Sequence, residues 1–119
     1  MTIPYLGQQP VTDFGQQFAS IKYSVTLGAT TDTTLTIPVT DQYYKAVIKV
    51  KNDTWVALNA TAAVPGGSSF AATTSELVTP YEAVCREVKN GDVLHFYTAT
   101  ASTDVSVVLY ATRHGTVGY

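Results

Sequence analysis

The sequence predicts an all-β protein, a β-sandwich or jelly roll of about six to eight strands. Three observations lead to this fold class. Apolar and polar residues alternate in several short segments, which is the period of a half-buried strand. Turn-forming Gly, Pro, Asn and Asp residues separate these segments. The 119 residues also include nineteen Thr, a β-branched residue that favours the pleated conformation.

The N-terminal segment does not follow this pattern. Residues 1–17 (MTIPYLGQQPVTDFGQQ) contain two prolines and two glycines and show no sustained period. We therefore expect an extended arm at residues 1–17, followed by a β-sandwich domain at residues 18–119. An arm left in solvent would gain nothing from apolar side chains, so four of them are the predicted partner-binding residues: Tyr5, Leu6, Val11 and Phe14.

Two strands are predicted at the start of the domain. Residues 21–27 alternate, with Ile21 and its apolar neighbours on one face. Residues 34–39 repeat the alternation after a turn at residues 28–32. Pro38 has no backbone N–H, so this second strand should lie at a sheet edge or stop there.

A further pair of strands is predicted in the middle of the chain. Residues 44–50 carry an apolar face at every second position, opposed by Lys45, Lys49 and Lys51. Asn52 and Asp53 then separate this strand from residues 54–58, which predicts a hairpin. Residues 59–69 end in a Pro-Gly-Gly-Ser-Ser sequence and are predicted to form a loop.

Residues 79–91 admit two interpretations. Thr79, Pro80 and Glu82 form a capping-box pattern that predicts a short helix near residues 80–89. The same residues also suit a strand, and tertiary context often overrides local propensity. The apolar positions that fit both interpretations are Tyr81, Val84, Cys85 and Val88.

Two apolar segments close the domain. Residues 92–98 and 104–112 carry apolar side chains on both faces. A strand of this kind is covered on both sides, by a second sheet or by a neighbouring subunit.

Charged residues are scarce. They make up 13% of the chain, about half the usual ~25% of a soluble domain. A surface of neutral polar residues is poorly protected against association, so we expect a homo-oligomer or a component of a larger assembly. The net charge of −2 argues against a nucleic-acid partner. No apolar run reaches the ~18 residues of a membrane span, and no signal peptide is recognisable.

The titratable residues do not form a recognisable catalytic or metal-binding pattern. The two histidines, His95 and His114, lack metal-ligand spacing. The single cysteine, Cys85, is expected to be a buried thiol. Most acidic residues border turns, where turn chemistry accounts for them. We therefore expect no catalytic residues, no metal and no cofactor.

The aromatic residues are the one group with a potential binding role. Tyr43 and Tyr44 must point to opposite faces of their strand, so one of them faces outward. Tyr43 and Trp55 are therefore candidate interface residues, which could stack on sugars or anchor a protein contact. The alternative is that these aromatic side chains fill the core.

Short segments of the chain are similar to parts of tailed-bacteriophage virion proteins. Residues 5–10 (YLGQQP) resemble the Tyr-Leu/Ile-Gly-x-x-Pro starts of many such proteins. Residues 45–59, residues 89–94 and the last strand are similar to small phage β-sandwich proteins that decorate or cement capsids.

This resemblance implies a β-sandwich, often trimeric, with an extended terminal arm and no catalytic residues. We expect a capsid decoration (cement) protein, made in the host cytoplasm and located on the virion, whose partners are the major capsid protein or other virion subunits. A fibre that spans distance needs more chain than one domain, which makes a tail, neck or fibre component the second interpretation. A carbohydrate-binding β-sandwich module is the third.

Overall fold

The computed structural model describes residues 18–19, 21–40 and 42–114. Within these ranges the chain forms eight β-strands and no helix. The strands in chain order are β1 (Ile21–Leu27), β2 (Thr33–Thr36), β3 (Gln42–Val50), β4 (Thr54–Leu58), β5 (Ser75–Val78), β6 (Val84–Lys89), β7 (Val93–Tyr97) and β8 (Thr103–His114).

The strands form two antiparallel sheets of four. Sheet 1 has the order β1-β8-β3-β6, and sheet 2 has the order β2-β7-β4-β5. The pairing is nested: β1 pairs with β8, β2 with β7, β3 with β6 and β4 with β5. Nested pairing across two sheets is the arrangement of a jelly roll. The predicted all-β sandwich is confirmed, and the strand order selects the jelly roll.

The core lies between the two sheets and follows from the alternation of each strand. In β3, Ile48 and Val50 are buried, whereas Lys49, which lies between them, is exposed. Each strand contributes one face in this way, because successive side chains point to opposite sides of a sheet. The largest fully buried apolar side chains are Leu27, Ile37, Tyr44, Ile48, Val78 and Leu109.

Several of the many threonines lie inside the fold. Thr54, Thr98 and Thr103 are fully buried near the turns that join β3 to β4 and β7 to β8. The hydroxyl of Thr98 donates to the Asp53 carbonyl at 2.9 Å, and that of Thr103 to the Thr100 carbonyl at 2.7 Å. A buried hydroxyl is costly unless it is hydrogen-bonded. Threonine therefore closes this end of the sandwich with its polar groups satisfied.

The second strand behaves as its proline predicts. β2 is four residues long, ends at Thr36 and lies at one edge of sheet 2. Pro38 follows in a segment that is not a strand.

The predicted hairpin after β3 is wrong. Asn52 and Asp53 do form a turn, but β3 belongs to sheet 1 and β4 to sheet 2, so the two strands do not pair. Both sides of β3 are already occupied, by β8 and by β6. The chain must therefore cross to the other sheet at this turn.

The predicted short helix near residues 80–89 is also wrong, and the strand interpretation is correct. β6 pairs with β3 from Val84 opposite Ile48 to Lys89 opposite Tyr43. Without β6, the backbone groups along this side of β3 would have no strand partner, which is a larger penalty than a lost helix cap.

Candidate interaction surfaces

The outward side chains of β1, β3, β6 and β8 form a broad surface, which we call the open face. One row across the four strands consists of Lys22, Val108, Val47 and Cys85, which are neighbours in the register. Val47 and Val108 at its centre are half-buried, and the other two residues are exposed. The open face is therefore a sheet surface with accessible apolar residues among small polar ones and lysines.

One expectation from the sequence is corrected on the open face. Cys85 is an exposed thiol and not a buried one, because the alternation of β6 turns Val84 and Val88 inward instead. The two-sided apolar pattern of β8 is covered by the second sheet on one side, and cover of its other side by a neighbouring subunit stays a prediction. Val108 and Tyr110, on its other side, are half-buried on the open face.

Part of the outer face of sheet 2, around Ala57 and Ser75, lies under the start of the chain's own β4–β5 loop, residues 59–74, and we call this outer face the covered face. Ala57 of β4 points outward yet is 2% exposed, and Ala62 of the loop is 1% exposed. The Ala63 amide donates to the hydroxyl of Ser75 at 3.2 Å. The loop therefore packs on this sheet and replaces solvent over its centre.

Asp32 fastens this loop to the sheet. Its Oδ2 atom lies 2.8 Å from Nδ1 of His95 on β7, and its Oδ1 atom accepts the Ala62 amide at 3.1 Å. Asp32 lies in the β1–β2 turn, so one carboxylate joins three separate parts of the chain. His95 thus has a structural role on the covered face, because it connects Asp32 to β7 through a hydrogen bond.

An ion pair bridges β5 and β6 at one edge of the sandwich. Arg86 Nε donates to Glu76 Oε1 at 2.9 Å, and Arg86 Nη2 donates to Oε2 at 2.5 Å. These hydrogen bonds lower the pKa of the Glu76 carboxyl, with the positive charge of Arg86 adding to the effect and partial burial opposing it. The pair lines a cleft of about 310 Å³ between the sheets, with Ile48, Val56 and Leu94 deeper inside.

Sequence reasoning missed this pair, although β6 contains a signal for it. Arg86 stands opposite the buried Ala46 in the register, so it occupies a core-facing position between two inward valines. A charge at such a position is typical of an edge strand.

At the opposite edge of the sandwich, between β1 and β2, no ion pair joins the strands among the residues that the structure describes. A groove of about 120 Å³ lies between these strands, lined by Tyr23 and Val25 of β1 and Leu35 of β2. It reaches the core residues Phe96 and Val107. Val25 remains 42% exposed, so this groove leaves apolar surface accessible to solvent.

The two predicted interface aromatics lie on different sheets. Tyr43 is half-buried at a β-bulge near the start of β3 in sheet 1. Trp55 is half-buried on the outer side of sheet 2, opposite Tyr97 and Leu77 in the register. A cleft of about 570 Å³ separates Trp55 from loop residues 64–73.

The predicted arm cannot be placed against these surfaces. Residues 1–17 lie outside the described residues, and so do its four predicted partner-binding side chains: Tyr5, Leu6, Val11 and Phe14.

Among residues 18–19, 21–40 and 42–114, no three or more His, Cys, Asp or Glu residues are grouped in a way that could hold a metal ion. Over the same ranges, no helix has the length and apolar character needed to cross a membrane.

The fold and its surfaces define an eight-stranded jelly-roll domain with one covered and one open sheet face. Comparison with protein-family models, curated proteins and solved structures gives no match for this chain.

Proposed function

We propose that this chain is a non-enzymatic structural subunit of a virion, and that it acts as a capsid decoration protein that bridges neighbouring shell subunits. The open face carries this proposal. It is a four-stranded surface with half-buried valines at its centre, and the covered face shows how the same fold looks when such a surface is occupied. A sheet face with apolar residues at its centre is suited to burial against a partner.

The composition of the open face favours apolar attachment over ion pairing. Val47, Val108 and Tyr110 lie on its two central strands together with the half-buried Lys45, whereas the exposed Lys22 and Lys49 stand around them. Interfaces of this anatomy have an apolar centre and a polar rim. Because rim charges contribute mainly to association rate and are screened by salt, attachment should survive about 1 M NaCl.

The test is co-sedimentation of the purified chain with shell particles that lack it. Val108→Glu places a charge in the centre of the open face and should weaken binding by about tenfold or more. Thr34→Glu is the matched control, since Thr34 is exposed on the outer side of sheet 2. Equal binding by both variants would contradict attachment through the open face.

Copy number separates decoration from the tail interpretation. Particles purified from cells that make the protein should contain it in numbers comparable to the shell subunit, as measured by quantitative mass spectrometry. A few copies per particle, as in one ring of subunits, would instead assign the protein to the tail or neck. Absence of the protein from particles would reject a virion role.

A carbohydrate-binding module is the second candidate, and the Trp55 cleft favours it. Trp55 and Tyr97 lie side by side on sheet 2, beside loop residues 64–73, whose backbone and hydroxyl groups could bind sugar hydroxyls. Aromatic rings of this kind stack on sugar faces. Glycan-array binding that Trp55→Ala abolishes, with Tyr81→Ala as an exposed aromatic control outside the cleft, would support this function over decoration.

A further inference from the structure

The four edge strands of the sandwich are not equally protected. β2 and β5 have four residues each and are followed closely by Pro38 and Pro80. β6 carries three charged residues in six positions. Short length, proline and charge are the usual means of preventing a sheet edge from pairing with another chain.

β1 has none of these protections. It is seven residues long, contains no proline, and has Lys22 as its one charged residue. Among the described strands it pairs with β8 alone, so its other side offers backbone N–H and C=O groups to a partner. The β1–β2 groove lies directly beside it, with Tyr23 and Val25 partly accessible.

We propose that β1 pairs antiparallel with β1 of a second copy of this chain, across a two-fold axis at Ser24. The two copies of sheet 1 then form one continuous sheet of eight strands. In an antiparallel pair with side chains matched face to face, centring on Ser24 pairs all seven residues of β1.

The sequence of β1 is complementary to itself in this register. On the inner face Tyr23 lies opposite Val25 of the second copy, and Ile21 lies opposite Leu27. On the outer face Lys22 lies opposite Thr26, and Ser24 opposite Ser24. Aromatic and β-branched residues are favourable cross-strand neighbours, and no two like charges are directly opposed. The apolar lining of the two β1–β2 grooves is thereby brought together.

This pairing is independent of the proposed function and yields a dimer, whereas the sequence resemblance implies a trimer. Light scattering on the full-length chain should give about twice the 12.7 kDa mass of one copy. A monomer or a trimer would overturn the proposal. A full-length monomer that dimerises only after removal of residues 1–17 would likewise overturn it, and would assign the β1 edge to the chain's own N-terminal segment.

A cross-link tests the register directly. In a Cys85→Ser background, Ser24→Cys should form an intermolecular disulfide under mild oxidation, because opposite residues have Cβ atoms about 4.5–5.5 Å apart. Ser106→Cys is the matched control. Ser106 is exposed on the same face and is the β8 neighbour of Ser24, yet in the dimer the two copies would be three strand spacings apart, roughly 14 Å.

Preferential cross-linking at Ser24 supports the β1 pair. Equal or greater cross-linking at Ser106 would overturn it in favour of contact between open faces. As a second measurement, Ser24→Lys places two lysines opposite each other in the dimer and should raise the dimer Kd by roughly tenfold. Ser106→Lys, which adds the same charge one strand away, should leave the Kd almost unchanged, and the reverse order of effects would reject the proposed register.

Discussion

The two sheets of this sandwich have four strands each but different surroundings on their outer faces. On the covered face, the β4–β5 loop buries Ala57 and is fastened by Asp32, and Glu76 and Arg86 bridge the adjoining β5–β6 edge. The open face and the β1–β2 edge have no comparable loop or ion pair among the described residues. The chain thus covers part of sheet 2 with its own residues and leaves the half-buried valines of the open face accessible, although Phe70 and Leu77 on the sheet 2 side are exposed as well. Association is expected at the open face and the β1–β2 edge.

The largest expected effect comes from a charge under the loop of the covered face. Ala57→Asp would bury a carboxylate under the loop, opposite a histidine whose Nδ1 is already hydrogen-bonded to Asp32, and should lower the free energy of unfolding by roughly 3–5 kcal/mol. The same change on the open face, Ser106→Asp, should alter it by less than about 0.5 kcal/mol. Denaturant titration of both variants measures the difference, and similar values would remove the distinction between the faces.

The fastening by Asp32 is the next strongest contribution. Asp32→Ala removes the hydrogen bonds to His95 and to the Ala62 amide, and should cost roughly 2 kcal/mol in the free energy of unfolding. Loop residues 59–74 should also become easier to cleave in limited proteolysis, since the loop loses an attachment. Unchanged proteolysis would mean that packing alone holds the loop on sheet 2.

The ion pair at the β5–β6 edge should contribute less, and only above acidic pH. Its side chains are 46% and 52% exposed, so Arg86→Ala should cost less than about 1 kcal/mol. Arg86 lowers the pKa of Glu76, so the folded state binds this proton less readily than the unfolded state. The pair's contribution is therefore present above the ordinary carboxyl value of 4.5 and is lost as the pH falls through the lowered pKa. Denaturant titrations of the Arg86→Ala variant and the unchanged protein should give different free energies of unfolding near pH 7 and similar ones at strongly acidic pH. A difference that stays constant with pH would contradict the ion-pair origin.

The smallest effect is expected at Cys85. Because its thiol is exposed on the open face, Cys85→Ser should change the free energy of unfolding by less than about 0.5 kcal/mol. Thiol labelling of the native protein should be fast. Slow labelling in a folded oligomer, together with fast labelling after dissociation, would indicate that a partner covers this part of the open face.

Local alternation was sufficient to predict the strands whose two faces differ clearly. β1 and β3 follow directly from their apolar positions, and Pro38 correctly limits β2. The failure at β6 has a physical reason: Val84 and Val88 are four residues apart, a spacing that serves a helix face and a strand face equally well. Residues 84–89 form a strand because the side of β3 away from β8 needs a strand partner. That requirement comes from a distant part of the chain, so no local pattern reveals it.

The same limit applies to the surfaces. The turn at Asn52 and Asp53 was visible in the sequence, but the sheet that the next strand joins depends on which sides of β3 are occupied. Asp32 and His95 are 63 positions apart, and no short-range pattern relates them. One surface feature did leave a clue in the sequence. Arg86 stands at an inward position between two valines, which points to the ion pair at the β5–β6 edge.

The nested strand pairing has a consequence for how the protein is made. Within sheet 1, β8 stands between β1 and β3, so the first of the described strands pairs with the last of them. A nascent chain that has not yet released β8 from the ribosome can assemble β4 with β5 and β3 with β6, but β1 has no partner within the described fold. Pairings between such distant segments are intrinsically slow to form. Until β8 is released, β1 lacks its described strand partner and its apolar side chains stay uncovered, so chaperones that bind extended apolar segments should engage this protein at β1.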